Sequence, residues 1–271
     1  VNALPSLVTP QQAIENLHQG EKYVREAVRI FTEDIKEPLR LVEALIELGC
    51  TYRELALRSN GEERVRLARD SEKALREAAR QAHGRFTYRE VDALVNLAWL
   101  HYYTGDKAGA QRILQGDKSQ NISSEVLPLI PTEYLITQEH GVRQVENPIS
   151  WYWVQLGKAD LLLGQIAFDE YEQVNNTLKA QGVLPEERKQ AWPHLKEAAR
   201  LWTLALAYDS RYGKSFRDLK AGQRRIYANL DGLNVDEMNL VRKSIAQTIE
   251  DYHIPEELCL MQRYVDERFG L

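Results

Sequence analysis

Along most of this 271-residue chain, apolar residues recur at steps of three and four. That is the period of one helix face and not of a strand, so it constrains the fold more than any other feature. Pro38 is followed by Leu41, Leu45, Leu48 and Tyr52; a later run carries Val65, Ala68, Ala74, Leu75 and Ala78. Turn residues fall between the runs, as Ser59-Asn60-Gly61, His83-Gly84 and Thr104-Gly105-Asp106. Thr9-Pro10 has the form of a helix start, with threonine as N-cap and proline in the first turn. The pattern predicts helices near 10–31 (with a bend at Gly20), 38–52, 65–78, 88–103 and 108–114. Further helices are predicted at 149–163, 165–178, from Pro185, and at 194–209, 215–230, 235–252 and 255–269. No segment reads as a strand, so the expected class is all-α.

The stretch 116–148 breaks the period. It holds Ser119-Gln120-Asn121, Pro128, Pro131, Gly141 and Pro148, and is expected to be an irregular insertion with at most a short helix or hairpin near 132–138. The expected organisation is helix pairs over 1–115, the insertion over 116–148, and a further pair with C-terminal helices over 149–271.

Three segments share a local pattern. They are Leu45-Ile46-Glu47-Leu48-Gly49-Cys50-Thr51-Tyr52, Leu94-Val95-Asn96-Leu97-Ala98-Trp99-Leu100-His101 and Trp153-Val154-Gln155-Leu156-Gly157-Lys158-Ala159-Asp160. Gly105 and Gly164 follow the last two at the expected turns. The chain thereby resembles the tetratricopeptide repeats, whose ~34-residue unit is a pair of helices with a W-x2-L-G-x2-Y start. The resemblance implies a right-handed superhelix of antiparallel helix pairs, interrupted by the insertion. Gly49, Ala98 and Gly157 then sit where the two helices of a unit cross, because a small side chain lets the axes approach. The sequence departs from the family in the uneven spacing of its units, 49 positions from Leu48 to Leu97 and 59 from Leu97 to Leu156. His101 and Asp160 stand where the family has tyrosine. The run Glu21 to Val28 is similar to the second helix of a preceding unit, and there is no starting Met, so the expectation is a chain either processed or, as the incomplete first unit favours, cut from a longer protein.

The resemblance also implies a function. In the family, the first helix of each unit lines an inner binding face. Its positions fall on Glu43, Ile46, Cys50, Arg53 and Glu54, then on Asp92, Val95, Asn96, Trp99, Tyr102 and Tyr103, and finally on Trp151, Val154, Gln155, Lys158, Leu161 and Leu162. The family's clamp for a peptide C-terminal carboxylate is not expected, since only Asn96 matches it. The candidate partner-binding residues are Arg53, Asn96, Trp99, Tyr102, Tyr103, Trp151 and Lys158. They centre on aromatic rings, which bury much area with few rotors. The expected function is capture of a protein or peptide, without catalysis and without a cofactor. The uneven, insertion-bearing repeats are similar in style to the C-terminal sensor arrays of the signal-transducing ATPases with numerous domains, which places the expectation in signal transduction.

Other chemistry leaves weaker marks. Two Glu-x-x-His pairs, Glu15/His18 and Glu250/His253, have the spacing of di-iron carboxylate bundles, which makes a metal-dependent oxidase the rival from another class. The run 201–230 interleaves Trp202, Tyr208, Tyr212, Phe216 and Tyr227 with Arg211, Lys214, Arg217, Lys220, Arg224 and Arg225, as in some phosphate or nucleic-acid sites. The net charge of −5 argues against a nucleic-acid partner. No apolar run reaches the ~20 residues of a membrane span. Two distant cysteines, Cys50 and Cys259, indicate a reduced, cytoplasmic setting.

Overall fold

The computed structural model describes residues 9–117, 119–212 and 217–269. Among them are ten α-helices and no strand. The chain divides into two compact units, Val1–Leu129 and Ile130–Leu271, so the division falls inside the irregular segment. No helix of the described residues is long and apolar enough to cross a membrane.

The first unit holds α1 (Pro10–Glu33), α2 (Pro38–Ala56), α3 (Gly61–Ala82), α4 (Thr87–Tyr103) and α5 (Lys107–Gln115). Thr9 caps α1 in a capping box. Its hydroxyl accepts from the Gln12 amide, and the Gln12 side chain accepts from the Thr9 amide. The helix runs through Gly20 without interruption. Helices α2 and α3 pack antiparallel. Val42, Leu45 and Ile46 meet Ala78 and Ala82 at one end, and Leu48, Tyr52 and Leu55 meet Leu67 and Ala74 at the other. Each large aliphatic side chain so buried contributes about 1.5–3 kcal/mol. Helix α4 lies against both α3 and α2, and α5 returns along α4. Gly105, at φ 92, makes the α4–α5 turn in a conformation that favours glycine. Asp106 then caps α5 by accepting from the Gly109 amide at 2.8 Å.

The α2–α3 pair is drawn together at Gly49. A methyl group there would lie 2.6 Å from the Leu75 Cγ and 3.3 Å from the Ser71 carbonyl oxygen. The Ser71 hydroxyl donates to the Gly49 carbonyl at 2.7 Å. Gly49 therefore sits at a helix crossing, as its place after Leu48 predicts.

The second unit holds α6 (Trp151–Ala180), α7 (Trp192–Tyr212), α8 (Arg217–Asp231), α9 (Val235–Asp251) and α10 (Leu260–Phe269). Helix α7 is its centre and touches the other four. Two expectations fail here. Gly164 is not a turn: it lies in the middle of a single 30-residue helix, α6. A glycine inside a helix costs only ~1 kcal/mol, and here its missing side chain admits the Trp202 ring, which an added methyl would overlap. Pro185 begins a 3-10 stretch, Pro185–Ala191, kinked at Arg188, and not the α-helix itself.

The irregular segment is ordered by packing and by tyrosine hydroxyls. Val126, Ile130, Tyr134 and Ile136 are buried. In the second unit, the Tyr208 hydroxyl accepts from the Ile136 amide and the Tyr134 hydroxyl from the Ile149 amide, both at 2.8 Å. Short 3-10 turns at Leu127–Leu129 and Thr132–Tyr134 and two isolated bridges, Asp117 with Ile122 and Thr137 with Gly141, are its regular structure among the described residues.

These contacts set opposite outcomes for two helical glycines. Gly49→Ala gains helix propensity but collides with Leu75, and is expected to lower the stability of the first unit by about 1–2 kcal/mol. Gly20→Ala meets nothing within 4 Å and is expected to raise stability by about 0.5–1 kcal/mol. Urea midpoints of the two variants check the signs.

Candidate functional site

Helices α2 and α4 turn matching stripes toward each other. On α2 the stripe is Arg40, Glu43, Cys50 and Arg53; on α4 it is Arg89, Asp92, Asn96, Trp99 and Tyr103. Steps of three and four put each set on one helix face. A chain of polar contacts joins them. Arg40 donates to Glu43 at 2.7 Å, and Glu43 also accepts from Arg89. Arg89 reaches Asp92 at 3.3 Å. The Asn96 amide donates to the Asp92 carboxylate at 2.9 Å, and its oxygen accepts from Arg53 at 3.1 Å and from the Cys50 thiol at 3.3 Å.

Burial decides which of these contacts matter. Exposed ion pairs contribute ~0–1 kcal/mol, but Asp92 and Asn96 are only 4% and 6% exposed. Removing one partner there strands a buried polar group at a cost of about 1–3 kcal/mol. Desolvation pushes the Glu43 carboxyl up, and the hydrogen bonds from Arg40 and Arg89 outweigh it, holding the group below the usual carboxylate range. The seam is thus a rigid polar support.

At its end stand three rings. Trp99 meets Tyr102 edge-on at 5.9 Å and Tyr103 at 5.5 Å; the two tyrosines are 5.4 Å apart. The Arg53 guanidinium lies 6.0 Å from the centre of the Tyr103 ring. All three rings are partly buried.

The first unit therefore brings together five of the seven sequence candidates: Arg53, Asn96, Trp99, Tyr102 and Tyr103. Trp151 and Lys158 belong to the second unit. Trp151 opens α6 and is partly exposed, but Lys158 is only 8% exposed and is no surface charge that steers a partner. Ile46, Val95, Val154, Gln155, Leu161 and Leu162 are buried as well, because these positions also face neighbouring elements.

The metal and anion candidates resolve differently. Glu15 and His18 are exposed on α1 and bond to Gln11 and Glu21. His253 lies beyond the end of α9 at φ 48, so Glu250 and His253 do not share a helix face. Among the described residues no three His, Cys, Asp or Glu side chains gather as a metal site. In the basic–aromatic run, Trp202 and Tyr208 are core residues. Tyr227 stacks on Tyr264 at 3.5 Å. Arg211 covers Trp153 at 4.4 Å, and Arg224 and Arg225 are exposed. The side chains of Tyr212, Lys214, Phe216, Arg217 and Lys220 lie outside the described residues.

One polar cluster in the second unit had no place in the sequence reading. Asp160 follows Trp153 and Gly157 at helical steps, on the side of α6 that meets α7, and that spacing was its available signal. Around it are Glu197 and Arg200 of α7, which form a bidentate pair at 2.6 and 2.8 Å, and Tyr252, which accepts from Arg200 at 2.9 Å. Burial raises the Asp160 carboxyl to about 7, with Glu197 adding to the rise and Arg200 opposing it.

The chain matches no protein-family model, no curated protein and no solved structure.

Two outcomes follow. Asn96→Ala removes the shared acceptor of Arg53 and Cys50 and is expected to cost about 1–3 kcal/mol in urea denaturation. For Asp160, the raised folded-state value means its contribution is fully present below the ordinary aspartate range and is lost as pH rises through about 7. Asp160→Asn is expected to stabilise the second unit at pH 8 by on the order of 2 kcal/mol, allowing for partial solvent screening. At pH 4 it is expected to have little effect; thermal unfolding at both pH values checks the contrast.

Proposed function

We propose that the first unit is a tetratricopeptide-like binding module that captures a protein or peptide on the α2–α4 face and carries out no chemistry itself. The observation that carries this reading is the trio Trp99, Tyr102 and Tyr103, partly exposed beside Arg53 and held on a largely buried polar seam. A partly exposed aromatic cluster backed by hydrogen-bonded side chains has the character of an interaction hot spot, since little conformational freedom is lost when a partner covers it. The pairing of α2 with α3 and of α4 with α5, the close approach at Gly49 and the glycine turn at Gly105 support the repeat assignment. The length of α6 departs from it, so the assignment is made for the first unit. A role as the sensing part of a larger cytoplasmic signalling protein agrees with a binding module and rests on the sequence resemblance.

Peptides selected from a random display library on the full chain test the site. Trp99→Ala and Tyr103→Ala are expected to weaken the selected peptides at least about tenfold, while Tyr23→Ala, an exposed change on α1, leaves them unaltered. Peptides that bind all three variants equally would remove the α2–α4 face from the proposal.

A further inference from the structure

The link between α2 and α3 runs over residues 57–60 and leads into the chain's one Asn-Gly pair, Asn60-Gly61. Both residues are exposed. Asn60 takes the N-cap position of α3 with an extended backbone, φ −127 and ψ 167, but its side chain caps nothing. Its carboxamide makes no hydrogen bond to a described residue. The Gly61 amide is the first of the helix and has no intrahelical carbonyl to donate to. Gly61 stands at φ 56, which favours glycine, and the space around a Cβ there is empty to 4 Å. A backbone nitrogen and a side-chain carbonyl carbon thus lie next to each other in sequence, exposed and unbonded.

Other asparagines are held or shielded. Asn96 is buried and bonded to Asp92, Arg53 and Cys50. Asn234 is an N-cap like Asn60, but its oxygen accepts from the Glu237 amide at 3.0 Å. Asn229 donates to Gln165 at 3.2 Å. Leucine or valine follows each of these three, and such a side chain crowds the backbone nitrogen beside it.

We infer that Asn60 is a site of self-modification. The Gly61 nitrogen loses its proton to hydroxide and attacks the Asn60 Cγ. A C–N bond forms, the bond from Cγ to the carboxamide nitrogen breaks, and that nitrogen takes a proton from water and leaves as ammonia. The cyclic imide so formed then takes up one water at either of its carbonyls. Opening at Cγ gives aspartate; opening at the α-carbonyl gives isoaspartate. Asparagine and water become acid and ammonia, with nothing oxidised or reduced.

The two products act differently on the α2–α3 turn. Aspartate keeps the backbone and places a negative charge at the start of α3, where the helix dipole favours it. Isoaspartate carries the main chain through the side-chain carbons and turns the former backbone carbonyl into a free carboxylate. The Asn60 carbonyl, which accepts from the Arg64 amide at 3.4 Å, is then lost from the backbone. The first turn of α3 loosens.

The full chain is incubated at pH 8, folded in buffer or unfolded in guanidinium chloride, and then cut with trypsin. Peptide 59–64 carries Asn60; peptide 226–242 carries Asn229, Asn234 and Asn239. In the folded chain, peptide 59–64 is expected to give two acids of equal mass, at least about tenfold faster than amide turns to acid in peptide 226–242. Asn60 intact in the folded chain while it converts in the unfolded one would overturn the inference, as would equal rates in the two peptides. Isoaspartate chains separated from the aged sample are expected to unfold at lower urea than the Asn60→Asp variant. Equal midpoints would overturn the loosening of α3.

Discussion

In each unit a helix pair closes over a glycine, and the rest of the packing depends on that contact. In the first, Leu75 of α3 lies on the backbone of Gly49; in the second, Trp202 of α7 lies on Gly164 of α6. A side chain at either glycine would collide with that neighbour, and a close-packed interior leaves little room for it to move. The apolar rows on both sides, Val42 to Leu55 against Leu67 to Ala82, interdigitate because the crossing sets their separation.

Helix α4 covers the remaining apolar edge of the α2–α3 pair, and that brings its polar stripe to α2. The buried Asp92 and Asn96 then need partners, and Arg89, Arg53 and Cys50 supply them. The aromatic trio inherits its position from this seam. Rings at 99, 102 and 103 touch simply by helical spacing, but Arg53 lies beside Tyr103 only because the seam joins α2 to α4. The proposed binding surface and the fold are thus linked through the polar contacts of the seam.

Much of this was legible in the sequence. Thr9-Pro10 marked the start of α1, Gly105-Asp106 the turn into α5, and the 3.6-residue period the class. The local aromatic cluster followed from spacing alone. Contacts between distant positions were not legible: Glu43 and Arg89 are 46 residues apart, and nothing in either neighbourhood names the other. Gly164 misled because the same residue serves a turn or a close helix approach, and only Trp202, 38 positions on, decides between them. Lys158 misled because one helix face can be covered by a neighbour that periodicity does not reveal. Asp160 was visible as a residue, but the Glu197–Arg200 pair that α7 brings beside it was not.

A double-mutant cycle between positions 49 and 75 tests the helix crossing itself. If Leu75 lies on Gly49, Gly49→Ala is destabilising in the natural background and neutral or stabilising once Leu75→Ala has made room. The two changes are then coupled by about 1 kcal/mol or more. Additivity of the two changes within about 0.3–0.5 kcal/mol would contradict the packing on which the first unit and its proposed binding face rest.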